Sequence, residues 1–95
     1  MRIAASHPAL PGHFPGHPVV PGVVLLDAVI AELARHAGGA VRVTGFPAVK
    51  FLAPLGPEQE ATVTFNPRRP GQTGFEVAAG GVTLASGSIS YETVA

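Results

Sequence analysis

GVVLLDAVIAELARHA, residues 22–37, contains no proline and no glycine after its first residue, and it runs directly into Gly38-Gly39. A run of this length closed by glycines reads as one helix of about four turns over Gly22 to Ala37. Its first ten residues are apolar on every side except at Asp27, whereas Glu32, Arg35 and His36 gather on one face near its end. A helix that is apolar nearly all round belongs inside a structure, not on its surface.

What surrounds it is written downstream. Val41/Val43, Val63/Phe65 and Phe75/Val77/Ala79 each alternate with smaller or polar residues at period two, the pattern of half-buried antiparallel strands. Gly80-Gly81 marks a hairpin that leads into a strand over Val82 to Tyr91. Inward parity there passes from Val82 and Leu84 to Ile89 and Tyr91, so a β-bulge is expected around Ser86-Gly87. A short strand at Arg2 to Ser6 completes the inventory. One strand, a loop, one buried helix and about four further strands make an α+β fold over residues 1–95, an antiparallel sheet wrapped around one central helix.

Upstream of the helix, His7, Leu10, Phe14, His17 and Val20 each precede a proline, which pushes each of them toward extended geometry. Residues 7–21 therefore read as a stiff loop. Its prolines connect elements, and they also hold the stretch from residue 13 to residue 22 in one geometry without an ordering cost at each encounter with a ligand.

Composition narrows the function classes. A chain of 95 residues forms one domain and buries only about 60 to 65% of its unfolded surface, so self-association would stabilise it. Six Lys and Arg balance six Asp and Glu, with no basic stripe to follow a phosphate backbone, which speaks against a nucleic-acid partner. The absence of cysteine removes disulfide scaffolds and thiol nucleophiles. Met1 to Leu10 carry one Arg and no continuous apolar core, unlike a secretory signal, and the longest apolar run is too short to span a membrane. The expectation is a soluble cytoplasmic protein.

Asp27 is the most informative residue. Its helical neighbours Val23, Val24, Ile30 and Ala31 offer no partner for a charge, and it sits about 140° around the helix from Glu32. Burial is expected, with a raised pKa. The bland reading, that Asp27 merely favours the positive helix end, is weakened by its place more than one turn past Gly22. For His13 alone the bland reading is stronger, since a lone loop histidine is more often exposed or capping than catalytic. His13, His17 and Asp27 count out as a two-histidine, one-carboxylate metal set, but Pro15, Gly16 and Pro18 forbid the helix that would align the two histidines, so no metal is expected. His7 and His36 read as surface residues.

The ungapped stretch His13-Phe14-Pro15-Gly16-His17-Pro18-Val19-Val20-Pro21-Gly22-Val23-Val24-Leu25-Leu26-Asp27 resembles the signature of the beta-hydroxyacyl-ACP dehydratases, and Val49-Lys50-Phe51-Leu52-Ala53-Pro54 looks like the strand that follows their helix. The resemblance covers nearly the whole chain and implies the hotdog fold. It also implies that His13 removes the α-proton, that Asp27 protonates the departing hydroxyl, and that the Gly22 backbone N–H faces the thioester oxygen. Pro15, Gly16 and Pro21 would hold the loop that places them. The compact form is similar to dehydratases of aryl-polyene and related pigment clusters. Two departures stand out: the family's longer N-terminal segment is largely missing, and Ala31 stands where many relatives carry a Gln that helps to hold the acid.

Elimination of water from a 3-hydroxyacyl thioester needs a neutral base at C2 and a protonated acid at the C3 hydroxyl, and one apolar pocket prepares both. The substrate would arrive on the phosphopantetheine of an acyl carrier protein, with no dissociable cofactor. Arg42, Lys50, Arg68 and Arg69 are candidates for docking that acidic partner. The expected assembly is a homodimer or higher oligomer with an apolar tunnel between two central helices. Two rivals remain: a catalytically silent hotdog subunit that binds acyl chains or completes a partner's site, and a hotdog thioesterase.

Overall fold

A computed structural model of the chain describes residues 1–3 and 20–94. Its elements are α1 (Gly22–Ala37), β1 (Val41–Phe51), β2 (Thr62–Arg69), β3 (Gln72–Ala79) and β4 (Val82–Thr93).

The helix has the bounds that the prolines and glycines dictate. Pro21 is the N-cap, with φ −59° and ψ 146°, and its carbonyl accepts hydrogen bonds from the amides of Val24 at 3.0 Å and Leu25 at 3.1 Å. Proline brings no side-chain cap. At the other end Gly38 takes the left-handed conformation, its amide donates to the Arg35 carbonyl, and the Gly39 amide donates to that of Ala34. This pair of bonds is a Schellman closure, which satisfies carbonyls that a helix end otherwise leaves open. Glu32 and Arg35 form an ion pair one turn apart on the polar face.

The four strands form one antiparallel sheet in the order β1-β4-β3-β2. Gly80 and Gly81, with φ of 58° and 80°, link Ala79 to Val82 in a two-residue turn whose two positive φ values match the twist of the strands. The expected bulge lies upstream of Ser86-Gly87. Val77 pairs with Ala85 but Ala78 pairs with Thr83, so Leu84 is the extra residue. From Ala85 onward the inward positions are 85, 87, 89 and 91, and because Ala85 and Gly87 carry almost no side chain, the switch is invisible to a hydrophobic pattern until Ile89. β1 is a single strand of 11 residues, but its register on β4 slips twice, between Val43 and Gly45 and between Gly45 and Ala48. Its outer edge is therefore regular only in two short pieces.

Met1 and Ile3 lie along residues 58–61 beside β2. The Ala61 amide donates to the Met1 carbonyl at 2.8 Å, and the Glu58 amide to that of Ile3 at 2.7 Å. The rest of the expected Arg2 to Ser6 strand, and residues 7–19 of the proline-rich loop, fall outside the described residues. The core joins Val24, Leu25, Val29 and Leu33 of α1 to Phe75, Val77, Ala79, Leu84, Ala85 and Ile89 of the sheet, closed at one end by Ile3, Val20, Leu55 and Ala61. The Val20 amide donates to the Leu55 carbonyl at 2.8 Å, which ties the chain entering the helix to the segment after β1.

Candidate active site

Asp27 stands about 160° around α1 from Val29, the helix residue sunk deepest in the sheet. It is exposed in the single chain, as are Val23 and Ala31 one turn to either side. This corrects the burial expected from its apolar neighbours. The sheet of one chain covers the 25/29/33 face of the helix and leaves the 23/27/31 face open, so of the apolar neighbours of Asp27, Val24 joins the core while Val23 and Ala31 do not meet the chain's own sheet.

Exposed apolar side chains also stand near the helix N-terminus, at the end of β1. Val23 is 68% exposed, Phe51 54% and Leu52 57%, a group of large apolar side chains at the N-terminal end of the helix. Gly22 joins the two elements: a Cβ there would meet Phe51 Cζ at 2.8 Å and Cε1 at 3.1 Å, so the ring lies against the glycine backbone in the space a side chain would take. As the first residue of the helix, Gly22 has an amide with no intrahelical acceptor, at the positive end of the helix dipole. Asp27 lies about 7.5 Å further along the axis. Gly22 lies on the covered 25/29/33 side of the helix, about 140° around from Asp27, so the carboxyl stands on the open 23/27/31 face while the amide projects from the helix end. The described residues enclose no cavity, so the face is an open surface in a single chain.

The residues expected to complete the site divide sharply. Pro21 holds the N-cap position. His13, Pro15 and Gly16, together with His17, lie outside the described residues. Among the basic candidates, Lys50 adjoins Phe51 at the Gly22 end, paired across the ladder with Ser86. Arg42 is at the opposite end, where the chain leaves the helix, and it forms an ion pair with Glu92 across the β1–β4 ladder. Arg68 and Arg69 close β2 beyond Phe65, whose ring lies 5.2 Å from that of His36 near the helix C-terminus. Arg68 packs flat on the sheet, since a Cβ at Gly74 would meet its guanidinium at 2.8 Å. Phe51 is the residue that sequence reasoning missed. A glycine at the first position of an otherwise bulky helix is the only hint that something approaches it closely.

Comparison with known proteins places this geometry in a lineage. The family model of the ApeI-like proteins, described as ApeI dehydratase, matches residues 1–88. The 3-hydroxyacyl-(acyl-carrier-protein) dehydratase FabZ of Haemophilus influenzae (strain Rd) is 30% identical over 101 residues, covering 96% of this chain and 66% of that protein. Its counterpart in Thermus thermophilus is 47% identical over 55 residues, 55% of this chain and 36% of that one. The chain therefore spans between about a third and two thirds of the length of these curated relatives. Among solved structures, the dehydratase heterocomplex ApeI:P from Xenorhabdus doucetiae superposes with a TM-score of 0.80 at 23% identity, over 96% of this chain and 81% of that one. An uncharacterised protein from Erwinia carotovora superposes with a TM-score of 0.75, also at 23% identity, over 98% and 79%. These likenesses carry the fold, one helix held by a four-stranded antiparallel sheet, which is the hotdog fold. No helix among the described residues is long and apolar enough to cross a membrane. With that fold, and with a family match running from the first residue through most of β4, the chain belongs to the ApeI-like dehydratase family.

Proposed function

We propose that the protein is a hydro-lyase that converts a 3-hydroxyacyl thioester, carried on the phosphopantetheine of an acyl carrier protein, into the trans-2-enoyl thioester. The observation that supports it best is Asp27, a single carboxyl set in the otherwise apolar open face of the central helix, in a chain of this family. His13 takes the proton from C2. The electron pair left behind forms the C2–C3 double bond, the C3–O bond breaks, and Asp27 gives its proton to the departing hydroxyl, which leaves as water. Negative charge that gathers on the thioester oxygen is met by the Gly22 amide and the helix N-terminus. Pro15, Gly16 and Pro21 hold His13 in place.

Two copies of the chain, or this chain and a related hotdog subunit, enclose the face that one chain leaves open, and His13 of one then works with Asp27 of the other. The second arrangement has its own support in the Xenorhabdus neighbour, a dehydratase heterocomplex, and in Ala31, which gives Asp27 no polar neighbour at the next helical turn. Lys50 is the basic residue placed to meet an acidic carrier protein at the Gly22 end, while Arg42, Arg68 and Arg69 occupy the other end. The reaction serves fatty acid or aryl-polyene synthesis in the cytoplasm.

The test is incubation of the purified protein with crotonyl or longer 2-enoyl pantetheine thioesters, followed by mass spectrometry. Reversible hydration is expected. Release of free thiol instead identifies a thioesterase, and no reaction identifies a silent subunit, for which the assay is repeated with the related hotdog subunit present.

A further inference from the structure

The backbone of Phe51 is held on the sheet beside the helix N-terminus. It pairs with Ala85, and the next two amides, of Leu52 and Ala53, both donate to the Leu84 carbonyl, at 2.8 and 3.2 Å. The ring tip fills the space that a side chain at Gly22 would take, yet about half of the residue remains open, and Val23 and Leu52 nearby are exposed as well. Core packing does not account for a large aromatic ring left in this state. An apolar wall beside the Gly22 backbone does.

The consequence rests on the function proposed above, in which a thioester oxygen faces that amide. C2 is bonded to the carbonyl carbon, so a substituent on C2 comes close to whatever stands beside Gly22. C2 must also present its hydrogen to the base, which removes the option of turning the substituent away freely. We infer that Phe51 is a specificity-determining residue: its ring admits 3-hydroxyacyl thioesters that are unbranched at C2 and excludes those bearing a 2-methyl group. One methyl group against an apolar pocket wall is worth roughly 10- to 200-fold in kcat/KM.

The experiment compares dehydration of 3-hydroxybutyryl and 2-methyl-3-hydroxybutyryl pantetheine thioesters by the wild type, Phe51→Leu and Phe51→Ala. The wild type is expected to favour the straight substrate by at least about tenfold, Phe51→Ala to lose most of that preference, and Phe51→Leu, which keeps apolar bulk, to fall between them. If both substrates slow together in the variants and their ratio stays fixed, Phe51 is a packing residue and the inference is wrong. Binding of the two unreactive amide analogues, measured by calorimetry on the same proteins, reads the wall without turnover. A wild type that turns over neither thioester overturns the dehydratase reading. Phe51 as a wall then stands if Phe51→Ala erases a binding preference for the straight amide, and it falls if the wild type shows no such preference or the variant keeps it.

Discussion

Equal amounts of His13→Ala and Asp27→Ala chains, unfolded together and refolded as a mixture, are expected to recover roughly a quarter of wild-type activity per total protein, although each variant alone is reduced by about 10² to 10⁴. The expectation follows from the open face of the helix. Asp27 is exposed in the single chain, as are its apolar neighbours Val23 and Ala31 on the same face. In a two-fold dimer the same loop and helix meet twice, once at each of two composite sites. About half of the mixed population pairs one variant with the other, and each such dimer holds one site with both groups intact and one with both missing. Native mass spectrometry establishes the mixed dimer, and the enoyl hydration assay reads its activity. Verified mixed dimers as inactive as their parents would put both groups of each site in one subunit.

Gly87→Val is expected to unfold the protein or to lower its melting temperature by more than about 15 °C. Gly87 pairs with Phe75 on β3 and Val49 on β1. A Cβ there would land on the Ala48 carbonyl oxygen and come within 3.0 Å of Phe75 Cε1, and the first of these is backbone that cannot swing aside. Overpacking of this kind costs about 3 kcal/mol or more, against a total stability of roughly 5 to 14 kcal/mol for a domain of this size. Each kcal/mol shifts the midpoint by about 4 to 8 °C. Gly45→Ala is the control: nothing lies within 4 Å of a Cβ at that position on the same pair of strands, so a shift of no more than about 3 °C is expected by calorimetry. Equal shifts for the two variants would mean that strand propensity, and not the Ala48 contact, governs both.

The parts of the fold that were legible in the sequence are those whose cause is local. Proline and glycine mark the ends of α1 because the restriction each imposes acts on its own residue, and Gly80-Gly81 announces its turn for the same reason. Apolar alternation located each strand, although β1 reads as two pieces because Gly45, Phe46 and Pro47 interrupt its period at the double slip. The misplaced bulge has a plain origin: Ala85 and Gly87 face inward with too little side chain to register, so the change of parity surfaces only at Ile89. Asp27 shows a deeper limit. Apolar neighbours signal that a helix face is covered, but not whether the cover comes from the same chain. The Phe51–Gly22 contact is set by how the sheet curls over the helix, which no pattern within either element records.

The strand order also bears on how the chain is made. β4 lies between β1 and β3, so of these four strands the one synthesised last is the one that joins β1 to the rest of the sheet. At translation rates of about 5 to 20 residues per second, β1 waits roughly 2 to 8 s between its own completion at Phe51 and that of its partner at Thr93. During that interval β1 has no partner strand, and of the sheet only the β2–β3 hairpin can form. A ribosome stalled anywhere before the β4 codons would hold a polypeptide in which β1 cannot join the rest of the sheet.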